Sequence, residues 1–354
     1  MRNFTYAVLA TLVFAGGAFL FLAASQNMTA DQAISSSTPD GAPPIVPLPN
    51  LFSSATNCFS QRTSYDEWIA HLQSKVRWWN PRRYLLHKRF PRSTWDAAKA
   101  DLHCQSVTYL SDGIIVNGWL LTPKIRQPGG SPIIVFNRGG NGSFGALTFA
   151  SVIYGLSPYA RRGFIVVASQ YRGATNGDPE VYGRDEFGGA DVNDVLNLLS
   201  IIKNHPDADP EKVYMFGASR GAMMTFLALK AGAEVAGVAV MAGVADLSID
   251  LESDPRMEKV YLKRIPNYES NKQSELEKRS VVKWIDDIPS DIPILILHGD
   301  SDDRVSVDQA RLLHRALTER NIPNKLVVYA RDNHHLARNR SSVIAEVVEW
   351  FGGD

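Results

Sequence analysis

Three segments of the sequence carry the residue types needed for acyl transfer by a serine. Ser219 stands at the centre of a GxSxG pattern at 217–221, between an apolar run at 212–216 and a helical pattern at 220–231. A turn of this kind between a strand and a helix exposes its serine hydroxyl at the helix N-terminus. Backbone N–H groups favour negative charge there. The pattern therefore predicts that Ser219 is a nucleophile.

Two later loops carry candidates for the base and for the carboxylate that orients it, both of which a serine nucleophile needs. One loop follows the apolar run 293–297, and the other follows the run 325–329. In one class of hydrolases the chain order is Ser, acid, His. The candidates are three acids and two histidines: Asp300, Asp302, Asp303, His334 and His335. The residues alone leave open which acid and which histidine act.

The elements that must position these loops indicate an α/β fold. Apolar runs that predict strands lie at 132–136, 164–168, 212–216, 236–241, 293–297 and 325–329. Helical patterns lie between most of them, at 190–203, 220–231, 306–320 and 341–351. This alternation predicts a mostly parallel central sheet with helices on both faces and a site at the carboxyl ends of its strands. A hairpin is predicted from 104–110 and 114–121, and a helical cap insertion at 248–290.

Residues 105–354 resemble the prolyl oligopeptidase family of α/β-hydrolases. Besides the GxSxG turn and the two loops, the shared motifs are the stretch 109–118, Tyr171-Arg172-Gly173 and the stretch 183–194. The resemblance implies an α/β-hydrolase fold and cleavage of amide bonds in short peptides. The β-propeller of full-length family members does not fit in the largely helical extension at 61–104. We therefore expect a stand-alone catalytic domain.

The resemblance also selects among the candidate residues. The family pattern HGxxDxxV begins at His298 here and points to Asp302 as the acid. A strand-ending Tyr329 followed five residues later by a histidine points to His334 as the base, whereas His335 takes a position usually held by a small residue. His298 is expected to be structural. Arg172 and Asp194 are also expected to be structural, as ion pairs or caps that hold loops.

The oxyanion of a tetrahedral intermediate needs hydrogen-bond donors. One is expected from the backbone N–H of Arg220, the residue after the nucleophile. The other is expected from the loop 137–142, which resembles the HGG-type loop of the family but carries Arg138 where relatives have His or Tyr. This second donor is either the Gly139 backbone or the Arg138 guanidinium.

The composition excludes several function classes. Lys+Arg and Asp+Glu both count 37, so the chain lacks the basic excess of a nucleic-acid-binding protein. The expected chemistry needs no metal or organic cofactor, and the Asp and His residues do not form a zinc signature. We expect a short peptide or a small ester as the substrate. The sequence does not set the oligomeric state.

The N-terminal residues predict a membrane segment. Residues 4–24 are almost wholly apolar and long enough to cross a bilayer as a helix, with Arg2 as the flanking charge. We expect residues 1–25 to be an uncleaved signal anchor, or a cleaved signal peptide as the second choice, and 26–60 to be a flexible Pro/Ser-rich tether. The catalytic domain then lies outside the cytoplasm, periplasmic or extracellular. Cys58 and Cys104 either pair there or stay as buried thiols.

Two further functions stay open on the sequence. A carboxylesterase uses the same triad, and the fold does not choose between amide and ester bonds. The other is a membrane-tethered binding protein that has this fold but no catalytic activity. The intact set of Ser219, Asp302 and His334 counts against it.

Overall fold

A mixed sheet organises the part of the chain described in the computed structural model, residues 51–77, 79–175 and 177–352. Its strands are β1 Ser54–Asn57, β2 Leu102–Ser111, β3 Ile114–Pro123, β4 Ser131–Asn137, β5 Ile165–Ser169, β6 Ala208–Ala218, β7 Gly237–Met241, β8 Ile294–Gly299 and β9 Asn324–Tyr329. Their order is β1-β2-β3-β5-β4-β6-β7-β8-β9. In this spatial order, the pairs β1-β2, β2-β3 and β3-β5 are antiparallel, and all pairs from β5-β4 onward are parallel.

Helices cover both faces of this sheet. They are α1 Tyr65–Lys75, α2 Leu86–Arg89, α3 Arg92–Asp101, α4 Phe149–Ser151, α5 Ser157–Ala160, α6 Pro179–Tyr182, α7 Val192–Ile202, α8 Arg220–Lys230, α9 Leu247–Ser253, α10 Met257–Arg264, α11 Tyr268–Lys278, α12 Val307–Glu319 and α13 Arg340–Trp350. One core packs α7, α8 and α12 against the sheet, and the other packs α1, α3 and α13 against its opposite face. Because the central strands are buried on both faces, their sequences are near-continuous apolar runs.

The predicted core elements are confirmed. The hairpin is β2 and β3, and the six predicted strands correspond to β4 through β9 within a few residues. The four predicted helices are α7, α8, α12 and α13. The insertion expected at 248–290 is helical and contains most of α9 together with α10, α11 and two short 3-10 turns.

The predicted end of the tether at residue 60 is wrong. Ser54–Asn57 form β1, which pairs with β2, and Cys58 beside it is buried. All four residues of β1 are exposed, so this edge strand lacks the alternating apolar pattern that would reveal it. The expected anchor at 1–25 and the tether up to residue 50 lie outside the described residues. No helix within the described residues is long and apolar enough to span a bilayer.

Aromatic packing joins the helices of the extension to one another and to α4, and a disulfide closes the loop that contains these helices. Trp68 of α1 stacks on Trp95 of α3 with ring centroids 5.2 Å apart, and Trp95 lies 5.0 Å from Phe149 of α4. Cys58 and Cys104 form a disulfide, with their Cα atoms 5.5 Å apart. Of the two expectations for these cysteines, the structure therefore supports pairing.

Candidate active site

Ser219 occupies a tight turn between β6 and α8. Its backbone has φ 54° and ψ −124°, a conformation that non-glycine residues rarely adopt. Both glycines of the motif are required by packing. A Cβ on Gly217 would overlap the carbonyl oxygen of Gly221, and a Cβ on Gly221 would overlap that of Asn137. The two glycines of the GxSxG pattern therefore allow the turn and the end of β4 to approach closely. This packing places Ser219 at the carboxyl edge of the sheet.

Asp302 and His334 meet in the loops after β8 and β9. His334 Nδ1 lies 2.8 Å from Asp302 Oδ2, and both side chains are almost completely buried. The other carboxylate oxygen accepts backbone N–H groups of Arg304 and Val305. This arrangement presents Nδ1–H to the carboxylate and leaves Nε2 of the imidazole for other chemistry.

His298 supports the same carboxylate. Its Nε2 lies 3.1 Å from Asp302 Oδ2 and 3.0 Å from the Val305 carbonyl oxygen. Burial alone would raise the pKa of Asp302, but the hydrogen bonds from His298 and His334 outweigh it and hold that pKa well below its usual range. Asp302 is therefore an ionised group within a buried cluster, and His298 has the structural role expected for it.

The three competing residues, Asp300, Asp303 and His335, have other surroundings. Asp300 is exposed and accepts the backbone N–H of Arg331, while Asp303 is exposed. The His335 ring lies 5.4 Å from that of His334, and burial lowers the pKa of His335 to about 4. Of the five candidates, the structure joins Asp302 and His334.

Ser219 shares the sheet edge with that pair but does not touch it through a hydrogen bond. β6, β7, β8 and β9 are parallel neighbours, so the loops that follow them leave the same edge. In the part of the chain that the structure describes, Ser219 Oγ makes no hydrogen bond to His334. Catalytic hydrogen bonds are often long until substrate binds, so this geometry is compatible with a nucleophile and its base.

Two backbone N–H groups beside Ser219 suit an oxyanion. Arg220 is the first residue of α8, so its N–H has no partner within the helix. Gly139 packs directly against the nucleophile, because a Cβ there would lie 3.0 Å from Ser219 Cβ and 3.6 Å from its Oγ. Among the described residues, the Gly139 N–H has no backbone partner.

The Arg138 guanidinium, the alternative second donor, is contradicted by its contacts. Its three nitrogens make five hydrogen bonds, all to backbone carbonyl oxygens of Gly139, Gly142, Phe144 and Gln170. Burial, followed by the nearby charge of Arg220, lowers the pKa of Arg138 to about 10, which leaves it charged at neutral pH. With its N–H groups already directed at carbonyls, this side chain holds the loop rather than the oxyanion.

The Arg220 side chain has a role that sequence reasoning missed. Its guanidinium donates to Asp185 at 2.7 Å, to Asp191, and to the Gly140 carbonyl at 3.0 Å. Asp185 in turn accepts the N–H of Gly142. Burial lowers the pKa of Arg220, but the two carboxylates outweigh it and raise that pKa. The start of α8 is thereby tied to the loop that carries Gly139.

A signal for this cluster was present in the sequence. Asp185 and Asp191 lie in the 183–194 stretch, and Arg220 directly follows the serine of the GxSxG turn, where a buried guanidinium needs acceptors such as carboxylates. Tyr171 lies between the two arginines, with the guanidinium carbons of Arg138 and Arg220 at 5.1 and 5.2 Å from its ring centroid. We name Arg138, Tyr171, Asp185, Asp191 and Arg220 the arginine clamp.

Other predicted roles can be located as well. Arg172 pairs with Asp194 at 2.7 Å and thus has the structural role expected for both residues. From the insertion, Arg264 Nε lies 3.3 Å from the Asn141 side-chain oxygen, so α10 borders the loop 137–142 that carries Gly139. Within the described residues, no group of three or more His, Cys, Asp or Glu side chains could hold a metal ion.

The mostly parallel sheet and the positive-φ serine turn at its edge define an α/β-hydrolase. Residues 150–353, more than half of the chain, match the model of the prolyl oligopeptidase family. The chain belongs to this family and is a serine peptidase.

Individual relatives agree with this assignment. The uncharacterized peptidase YtmA of Bacillus subtilis is 25% identical over 266 residues, covering 75% of this chain and 97% of YtmA. The uncharacterized peptidase YuxL of the same organism is 28% identical over 68% of this chain, which matches 37% of YuxL. Long segments of YuxL thus have no counterpart in the alignment.

Solved structures share the fold. A puromycin-hydrolyzing peptidase of Mycobacterium tuberculosis superposes with a TM-score of 0.59 at 21% identity, covering 71% of this chain and 40% of that one. An acylaminoacyl peptidase of Pyrococcus horikoshii gives 0.59 at 19% identity, covering 71% and 41%. The chain spans less than half of either solved protein.

Proposed function

We propose that this chain hydrolyses amide bonds in short peptides through an acyl-enzyme, with Ser219, His334 and Asp302 as the triad. The observation that carries the proposal is the buried hydrogen bond between Asp302 and His334 at the sheet edge where the Ser219 turn lies. The names of relatives, among them a puromycin-hydrolyzing peptidase and an acylamino-acid-releasing enzyme of Arabidopsis thaliana, support short substrates.

In this mechanism Ser219 Oγ attacks the scissile carbonyl carbon while His334 Nε2 takes the hydroxyl proton. The carbon–nitrogen bond then breaks as His334 gives that proton to the departing amine. Water attacks the acyl-enzyme with His334 again as the base, and the proton returns to the serine oxygen. Asp302 holds the imidazole tautomer and stabilises the imidazolium. The N–H groups of Arg220 and Gly139 bind the oxyanion.

Single and double substitutions test the roles. Ser219→Ala and His334→Ala should each lower kcat on a peptide anilide by on the order of 10³ to 10⁶, and the double variant should be hardly slower because the residues act as a unit. His335→Ala is the matched control and should be mild. A crippled His335→Ala enzyme beside an active His334→Ala enzyme would contradict the assignment of the base.

A substrate panel separates the amide and ester functions. We expect kcat/KM for aminoacyl and prolyl anilides to be measurable alongside that for p-nitrophenyl esters. Turnover of esters without any anilide would instead indicate a carboxylesterase. Folded protein that turns over neither class would indicate a binding protein. We also propose that the helical insertion shapes substrate choice, because α10 borders the loop 137–142 that carries Gly139.

We further propose that the catalytic domain is exported and held at a membrane by residues 1–25. The uncharged apolar stretch 4–24 supports an anchor, and the Cys58–Cys104 disulfide supports an oxidising compartment. Protease added to intact cells, or to cells with a permeabilised outer membrane for a periplasmic domain, should digest the domain while leaving a cytosolic marker whole. The mass of the isolated protein distinguishes an anchor from a cleaved signal peptide. A domain that becomes digestible only after lysis of all cell membranes would contradict export.

A further inference from the structure

Residues 75–92, which we name the basic segment, concentrate positive charge in a chain of zero net charge. The segment contains seven Lys and Arg residues and no carboxylate; the nearest acids are Glu67 and Asp96. The positive residues are Lys75, Arg77, Arg82, Arg83, Lys88, Arg89 and Arg92. A local excess of this size is typical of a surface that binds anions.

Large apolar side chains stand in solvent beside these charges. Trp79 is 62% exposed, Tyr84 is 74% exposed and Leu85 is 56% exposed. The Arg77 guanidinium carbon lies 5.9 Å from the Trp79 ring centroid. Aromatic and aliphatic groups interleaved with Lys and Arg suit the boundary between lipid headgroups and acyl chains.

The fold holds this surface outward. Leu86 is buried, and the Phe90 ring packs 5.3 Å from Trp68 and 5.0 Å from Tyr154. The Tyr65 hydroxyl donates to the Phe90 carbonyl at 2.7 Å. Because Leu86 and Phe90 pack into the extension while the preceding Tyr84 and Leu85 are exposed, these two side chains stay accessible from outside.

Several of the charges lack a carboxylate partner. Lys75, Arg77 and Lys88 are exposed, and among the described residues none of them forms an ion pair with a carboxylate. Arg92, at the end of the segment, pairs with Asp66. The free cations can therefore interact with an external anionic surface without first breaking internal pairs.

We propose that the basic segment docks the domain on a bilayer that contains anionic lipid headgroups. The cations contact the headgroups, and Trp79, Tyr84 and Leu85 enter the interface. A lipid surface is favoured over a nucleic acid because the apolar stretch 4–24 precedes the segment in the same chain, and because aliphatic Leu85 suits acyl chains. Docking weakens with salt, because surface charges are screened beyond about 10 Å at 0.1 M ionic strength.

A single fluorescent position reads out docking in the full chain. All described cysteines are in the disulfide, so Tyr84→Cys introduces a thiol for an environment-sensitive dye. Ile125→Cys, in the loop between β3 and β4 and 80% exposed, is the matched control. We expect a blue shift at position 84, and none at 125, with vesicles of phosphatidylcholine and phosphatidylglycerol. Phosphatidylcholine vesicles should leave both positions unshifted.

Removal of positive charges tests the electrostatic contribution to docking. In the Tyr84→Cys chain, Lys75→Gln, Arg77→Gln and Lys88→Gln together should raise the anionic-lipid concentration for half-maximal response roughly a hundredfold, as expected for three interfacial charges. Unchanged peptidase activity verifies that the variant is folded.

The proposal would be overturned by equal shifts in dye emission at positions 84 and 125, or by equal shifts with neutral and anionic vesicles. Emission from position 84 that is already blue-shifted without vesicles would overturn it too. So would a shift with a DNA duplex and none with vesicles.

Discussion

The arginine clamp and the basic segment use the same side chain in opposite environments. In the clamp, Arg138 and Arg220 are buried, and their guanidinium groups are directed at backbone carbonyls or carboxylates. In the basic segment, Arg77 is exposed and has no carboxylate partner among the described residues. Buried and bonded arginines fix backbone geometry, whereas exposed and unpaired ones attract partners from outside. The position of an arginine in the fold, more than its charge, sets its role.

The largest effect should follow from breaking the clamp. Arg220→Met leaves Asp185 and Asp191 buried without their cation, so the free energy of unfolding in urea should fall by about 3–5 kcal/mol. The loop that carries Gly139 also loses the hydrogen bond from Arg220 to the Gly140 carbonyl, so kcat should fall on the order of 10²-fold. Arg320→Met is the control, because its pair with Asp286 is exposed; less than about 1 kcal/mol is expected.

A rescue variant sharpens this prediction. Adding Asp185→Asn and Asp191→Asn to Arg220→Met removes the uncompensated charges, so stability should recover more than kcat does. Equal stability of Arg220→Met and the wild type would show that the clamp does not act as described.

The next effect concerns the Cys58–Cys104 disulfide, which closes the loop that contains the helical extension. Replacing Cys58 and Cys104 by serine opens a loop of sequence separation 46, and by chain entropy the free energy of unfolding should fall by about 2–4 kcal/mol. The kcat/KM for a peptide anilide should stay within about twofold, because the proposed triad lies on β6, β8 and β9 and their loops. A large loss of activity in the folded variant would mean that the extension shapes the site.

A smaller effect, on the pH dependence of the free energy of unfolding, is expected from Asp250, a buried carboxyl with no arginine partner among the described residues. Burial, with Asp254 and Asp302 nearby, raises the pKa of Asp250 to about 7. The folded state keeps a proton that the unfolded chain releases near its ordinary pKa of about 4, so stability declines as pH rises from about 4 to about 7. Asp250→Asn should remove this decline and be more stable than wild type by on the order of 2 kcal/mol at pH 8.

The pH dependence has its own control. Glu252→Gln changes an exposed carboxylate on the same helix and should leave the profile of unfolding free energy against pH unchanged. If Asp250→Asn followed the wild-type profile at every pH, burial of this carboxyl would not affect folding.

The smallest effect should come from the basic segment. Lys75→Gln with Lys88→Gln should change the free energy of unfolding by less than about 0.5 kcal/mol in thermal or urea denaturation, because both side chains are exposed. Destabilisation as large as that of Arg220→Met would remove the contrast between the two regions.

The sequence could predict those parts that follow from periodicity and motif spacing. The central strands are apolar on both faces, and the GxSxG turn depends on glycines with no room for a Cβ. The edge strand β1 was missed because its four side chains are exposed. Motif spacing cannot predict the clamp because it joins residues far apart in the chain. The choice between the Arg138 guanidinium and the Gly139 backbone stays open on the sequence, because backbone carbonyls that accept from Arg138 leave no sequence signal.

Labelling of the nucleophile tests the central claim most directly. A fluorophosphonate probe added to the folded full-length chain should form one adduct, and mass spectrometry should place it on Ser219. Ser219→Ala should not react, and His334→Ala should react far more slowly than His335→Ala. An adduct on another residue, or equal labelling of the wild type and Ser219→Ala, would contradict the account.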